Sequence, residues 1–212
     1  KLSQHRKYQL RINKIYQTFK NLIKMELQIV NQVMSEGAQE PQAKNNTNNT
    51  PFIVANTKEV SLTHLKRECT IPVFAKDNEV TISHPDFIES MEHSISMIYS
   101  LPLRLSPQIR VSHMIKGRVP EAIRKPVNEL LPNERTIYYE RMAFMIEIPS
   151  IRETVGGNVL SLTVGGVRAY NQENLYSRKT IEKFKVFIGF KNSVCTNLCI
   201  STDGFSEELR VG

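Results

Sequence analysis

Thr136-Ile137-Tyr138-Tyr139-Glu140-Arg141-Met142-Ala143-Phe144-Met145-Ile146-Glu147-Ile148 is followed by Val155-Gly156-Gly157-Asn158-Val159 and then by Leu160-Ser161-Leu162-Thr163-Val164-Gly165-Gly166-Val167-Arg168-Ala169. The first run is dense in β-branched and aromatic residues, which suit a pleated, half-buried surface. Gly156, Gly157 and Asn158 tolerate the positive φ of a hairpin turn. The passage predicts a long strand folding back on a second, with Gly165-Gly166 marking a bulge or tight bend. Downstream, Phe184, Val186, Ile188 and Phe190 alternate with Lys183, Lys185, Phe187 and Gly189, a third strand. Lys191-Asn192 turns it into Val194–Ser201, and Asp203-Gly204 turns again. Short connections make such strands antiparallel neighbours.

Working back toward the N-terminus, Ile109, Val111, His113 and Ile115 alternate with polar residues, another strand, with His113 expected on its apolar side as a hydrogen-bonded core histidine. Pro120 to Leu131 reads as a short helix or two turns interrupted by Pro126. Ser83 caps a helix from His84 to Tyr99, with Pro85 in its first turn, Asp86 and Glu89 near its start, and Phe87, Ile88, Met91, Ile95 and Ile98 as its buried stripe. Ser61 to Glu68 predicts a shorter helix. Phe52–Val54, Thr70–Ala75 and Val80–Ile82 predict short strands, the last two around a turn at Lys76–Glu79. The fold class is α+β: an antiparallel sheet-rich second half with one main packed helix, plus an N-terminal basic helix on a flexible linker.

That organisation divides the chain into 1–34, 35–50 and 51–212. Residues 35–50 carry almost no apolar surface, so ordering them would cost entropy with nothing buried in return. In 8–34, Ile12, Ile15, Tyr16, Phe19, Leu22, Ile23, Leu27 and Val30 stand at helical spacing. Such a helix either lies on a membrane, nucleic acid or partner helix, or packs on its own core; the pattern favours the second. The net charge is +7, and it is confined: residues 1–24 hold Lys1, Arg6, Lys7, Arg11, Lys14, Lys20, Lys24 and no acid, while the rest holds 21 residues of each sign. The basic balance therefore says nothing about the folded body. Met25 would be an ordinary start, so 1–24 reads either as upstream sequence or as the tail of a truncated arm. The ending at Arg210-Val211-Gly212, just after a turn, predicts further chain beyond Gly212.

Cys69, Cys195 and Cys199, without an export signal, point to free thiols and a cytoplasmic setting. Cys195 and Cys199 share one strand face and lack a second ligand pair, so buried thiols fit better than a metal site. No metal or other cofactor is expected. No apolar run is long enough to span a bilayer, so no membrane partner is expected. The glycine pairs lie between strands rather than before a helix, which argues against a phosphate loop. No catalytic constellation is evident; the chain leans away from an enzyme. Tyr138, Arg141, Lys183, Lys185 and Phe187 could present aromatic and basic groups on one sheet face, a stacking platform for single-stranded nucleic acid. Arg118, Arg124 and Lys125 form a smaller basic cluster, countered by Glu121 and Glu129.

Several strings carry a resemblance in order: Ile71–Phe74 with Lys76–Glu79, Ile109–His113, Lys116–Arg118, Pro120–Ile123, Tyr138–Met142, Gly165–Asn171, Phe184–Asn192 and Cys199–Gly204. Over roughly Pro51 to Val211 the chain resembles an uncharacterised domain-of-unknown-function family of Bacteroides-type gut bacteria. That family is carried on mobile elements and prophages, and is distantly similar to a phage- and plasmid-associated family of unknown function. It has no established activity, so the resemblance implies no catalytic role for any residue. It implies a mobile-element setting. The expectation is a non-enzymatic accessory protein that binds DNA or a nucleoprotein complex. The alternatives are a regulatory protein-interaction module without nucleic-acid contact and, last, a hydrolase or nuclease with an unrecognised site.

Overall fold

A computed structural model of the chain describes residues 6, 9–14, 17, 20–21, 56–69, 81–100, 106–122, 124–155, 158–173, 181–192, 198–199 and 205–211. The expected linker at 35–50, the strands at Phe52–Val54 and Thr70–Ala75 and the turn after them lie outside these residues.

The α+β fold is as the sequence predicts: an antiparallel sheet with one main helix packed on it. Its strands are β1 (Lys58–Val60), β2 (Gln108–Arg118), β3 (Arg135–Val155), β4 (Asn158–Ala169), β5 (Glu182–Asn192), β6 (Leu198–Cys199) and β7 (Phe205–Val211). They lie side by side in chain order from β1 to β5. Both β6 and β7 pair with the outer edge of β5, β6 at Phe190 and Lys191 and β7 from Glu182 to Ile188. The connections permit this meander because each pair is antiparallel.

Helix α1 (Leu62–Glu68) starts at Ser61, whose Oγ accepts from the His64 N–H at 3.1 Å. Helix α2 (His84–Tyr99) starts at a reciprocal capping box: Asp86 N–H donates to Ser83 Oγ at 3.2 Å and Ser83 N–H to Asp86 Oδ2 at 3.1 Å. Its stripe buries Phe87, Ile88, Met91 and Ile95 against Phe144, Ile146, Val164, Phe184 and Val186 of the sheet. The Phe87 ring meets Phe144 edge-on at 5.3 Å and Phe184 at 4.7 Å. Both ring pairs lie within the favourable range for aromatic contacts.

Three local expectations are corrected. Gly165-Gly166 is no bulge, since the β3–β4 register runs unbroken there and shifts instead between Ile148 and Arg152. The glycines are needed for close approach. A Cβ on Gly166 would stand 2.6 Å from the Phe87 ring, and one on Gly165 would stand 2.3 Å from the Phe144 carbonyl oxygen. His113 is exposed rather than in the core. Its φ of 57° breaks the alternation, and the β2–β3 ladder skips its pair with Glu140. Beside that irregularity Tyr139 and Met142, three apart, both reach the core. Thr81 and Ile82 form no strand. Side chains take the Ile82 backbone groups instead: its N–H donates to Glu182 and its carbonyl accepts from Arg168. In addition, β1 and β7 are strands in segments for which the sequence predicted no element.

The described part of the N-terminal segment, including residues 9–14, is helical. Ile12 packs against the main core and Arg11 pairs with Glu182 of β5. This helix therefore rests on the body of the protein.

Candidate functional site

The five residues expected to form a platform are partly brought together. Arg141, Lys183, Lys185 and Phe187 lie on the sheet face away from α2, because Met142, Phe184, Val186 and Ile188 between them point into the core. Phe187, however, is 7% exposed, its ring laid over Gly165, so it offers no open π-face. Lys185 stands opposite Glu208 of β7, and Lys183 opposite Arg210. The Glu208 carboxyl is held below its ordinary range, first by the Arg210 hydrogen bond and further by Lys183 and Lys185. Those lysines thus already face an anion. Tyr138 meets the ring of buried Tyr170 edge-on at 6.2 Å instead of joining the other four.

A second constellation is buried beneath the start of α2. The Arg168 side chain is fully enclosed, and its Nε and Nη2 meet the two oxygens of Glu173 at 3.2 Å each. Nη2 also reaches Glu182 Oε2 at 2.9 Å, and Nη1 donates to the Ile82 carbonyl. Lys183 N–H donates to Glu173 at 3.2 Å, and Arg11 pairs with Glu182. Above and below, the guanidinium lies 4.4 Å from the Tyr170 ring and 4.3 Å from Phe184. Two cations meet two anions within the protein. Chemically this is a charge-balanced staple joining β4, β5, the N-terminal helix and the entry to α2, with only Arg11 Nε left unpartnered among the described nitrogens of the two arginines.

The third constellation is open. At the end of the sheet, a cleft of about 820 Å³ is lined by Arg67 and Glu68 of α1, Lys116 and Arg118 of β2, and Arg135 of β3, over Val119, Val127, Leu130 and Ile137. Antiparallel register puts Arg118 directly opposite Arg135, Gly117 opposite Thr136 and Lys116 opposite Ile137. The side chains of Arg67, Lys116 and Arg135 have no hydrogen bond or ion pair with the described residues. Arg118 donates to the Lys125 backbone carbonyl, and the Lys125 ammonium is paired with Glu134. Glu68, the one carboxylate among the described lining residues, meets His64 Nδ1 at 3.3 Å. Four cations against one carboxylate leave the described lining net positive, and low-dielectric walls concentrate that field in the cleft.

The sequence had exposed Arg118 as part of a basic cluster but not its partners. Lys116 and Arg118 alternate on one strand, which was visible. Their meeting with Arg135 and Arg67 depends on register across residues 119–134 and on where α1 docks.

His64 and His84 are tied into the structure by hydrogen bonds. His64 links Glu68 to Tyr139, with Nε2 and the Tyr139 hydroxyl 3.1 Å apart, but Tyr139 is 1% exposed, so solvent does not reach the end of this chain. His84 donates from Nε2 to the Tyr139 carbonyl at 2.8 Å and stacks on Tyr170 at 4.4 Å. Burial, reinforced by Arg168, pushes its pKa down to about 3, so it is neutral. Burial likewise raises the Cys69 thiol to about 11, with Glu68 adding to the shift. Among the described residues no group of three His, Cys, Asp or Glu side chains could hold a metal, and no helix is long and apolar enough to cross a membrane.

Fold and cleft together define an α+β module: an antiparallel meander crossed by one helix, with a cation-lined recess at the end of the sheet. The chain belongs to the family described as "Domain of unknown function, B. Theta Gene description (DUF3871)", whose pattern matches residues 29–212. No curated protein and no solved structure matches it.

Proposed function

We propose that this chain is a non-enzymatic module that binds nucleic acid, alone or within a nucleoprotein complex, through the cleft at the end of the sheet. The observation that carries the reading is the convergence of Arg67, Lys116, Arg118 and Arg135 from three elements on a cleft whose described carboxylate is tied to His64. Such cations repel one another and gain when a phosphate backbone enters between them. The mobile-element setting implied by the resemblance would fit a DNA-associated accessory role.

Fluorescence anisotropy of the full chain with labelled DNA at increasing salt tests this. Three or four phosphate contacts give a slope of log K against log salt of roughly −2 to −4. Lys116→Gln flattens the slope, whereas Lys183→Gln with Lys185→Gln, on the far sheet face, leaves it nearly unchanged. No binding at low salt to either single- or double-stranded DNA sinks the reading.

A further inference from the structure

We infer that the cleft receives one unpaired nucleotide of a single strand, its phosphate set between the cross-strand arginines Arg118 and Arg135. The inference rests on the nucleic-acid reading above and names the form of ligand that this cleft takes.

Like charges placed directly opposite on neighbouring strands destabilise a sheet. Arg118 and Arg135 stand in that position, and no carboxylate among the described residues bridges them. Guanidinium forks match phosphate oxygens with two parallel hydrogen bonds, so a phosphate between the two turns the repulsion into a clamp. Two positions along on the same face, Lys116 stands opposite Ile137, so a third cation and an apolar side chain adjoin the arginine pair.

Val119, Leu130 and Ile137 provide an apolar wall beside the cations, suited to the face of a base or a sugar edge. The cleft's volume, about 820 Å³, lies in the range of sites that enclose single small ligands. A duplex keeps its bases stacked and presents only its outer phosphates, so it reaches the rim and leaves the apolar wall empty. An acidic peptide satisfies the cations but gives the apolar wall no flat group.

The test uses the full chain, a labelled short oligothymidylate, a duplex of the same length, thymidine monophosphate and polyglutamate. The single strand binds several-fold more tightly than the duplex, thymidine monophosphate competes with it, and polyglutamate competes poorly. Arg135→Gln weakens single-strand binding and flattens the salt slope by about 0.7, the loss of one phosphate contact on a single strand. The same change raises the thermal midpoint of the free protein, because it relieves the Arg118–Arg135 repulsion. Equal binding of duplex and single strand, or polyglutamate competing as well as thymidine monophosphate, overturns the inference while leaving DNA binding standing. An Arg135→Gln protein that melts earlier and binds normally also overturns it. Absence of all DNA binding removes this inference and the proposed function together.

Discussion

Replacing Arg168 by Met tests what holds the entry to α2 on the sheet. Methionine fills similar volume without charge, and leaves Glu173 and Glu182 buried with Arg11 and the N–H groups of Ile82 and Lys183 as their remaining described partners. Removing one member of a buried ion pair costs about 3–5 kcal/mol, because the other charge is left uncompensated. A chain of this size loses roughly 2–4 °C of midpoint per kcal/mol, so the variant should melt roughly 6–20 °C lower. The cost should depend on pH. Burial already holds the Glu173 carboxyl above its ordinary range in spite of Arg168. Without the guanidinium the Glu173 carboxyl rises further. A carboxyl whose folded pKa is raised contributes stability below its unfolded pKa of about 4.3, and that contribution is lost as pH rises through the folded value. Urea unfolding should therefore show the variant close to wild type at about pH 4 and most destabilised near neutrality. Adding Glu173→Gln and Glu182→Gln should recover part of the loss at neutral pH, since no buried charge remains. A loss under about 1 kcal/mol, or one equal at both pH values, would refute the assignment of Arg168 as the charge that neutralises this cluster.

Gly165→Ala should destabilise by about 1–3 kcal/mol or more, because its Cβ meets a backbone carbonyl that has no rotamer to escape into; chemical denaturation with an unchanged m-value checks it. Ser83→Ala should cost about 0.5–2 kcal/mol by removing one side of the capping box, read as a lower denaturation midpoint. Cys69 should alkylate roughly a hundredfold more slowly than an unhindered thiol at neutral pH, since burial lifts its pKa to about 11; peptide mapping separates it from Cys195 and Cys199.

The long hairpin, the main helix and its cap were legible because their signals are local. Ser83 with Asp86 three residues on, the 3.6-residue spacing of Phe87, Ile88, Met91 and Ile95, and the glycine turn between β3 and β4 each act within a few residues. The resemblance read from the sequence reached the right family in its coarse form. Where the sequence misled, a distant partner overrode the local pattern. Ile82 gave its backbone groups to Arg168 and Glu182 instead of to a strand. Gly165 and Gly166 serve the rings of Phe187 and Phe87, not a bend. A left-handed φ turned His113 outward from an otherwise regular alternation.

The amino-acid pattern by itself determined that this chain forms an antiparallel sheet with one main helix packed on it, since alternation, helical spacing and turn residues are properties of neighbours. Tertiary structure alone decided where charge gathers. The strand residues read as a platform were separated by burial and by Glu208, while Arg67, Lys116, Arg118 and Arg135 were collected at the end of the sheet. Register between β2 and β3 sets the Arg118–Arg135 encounter, and a connection as long as residues 119–134 leaves that register free until the core fixes it.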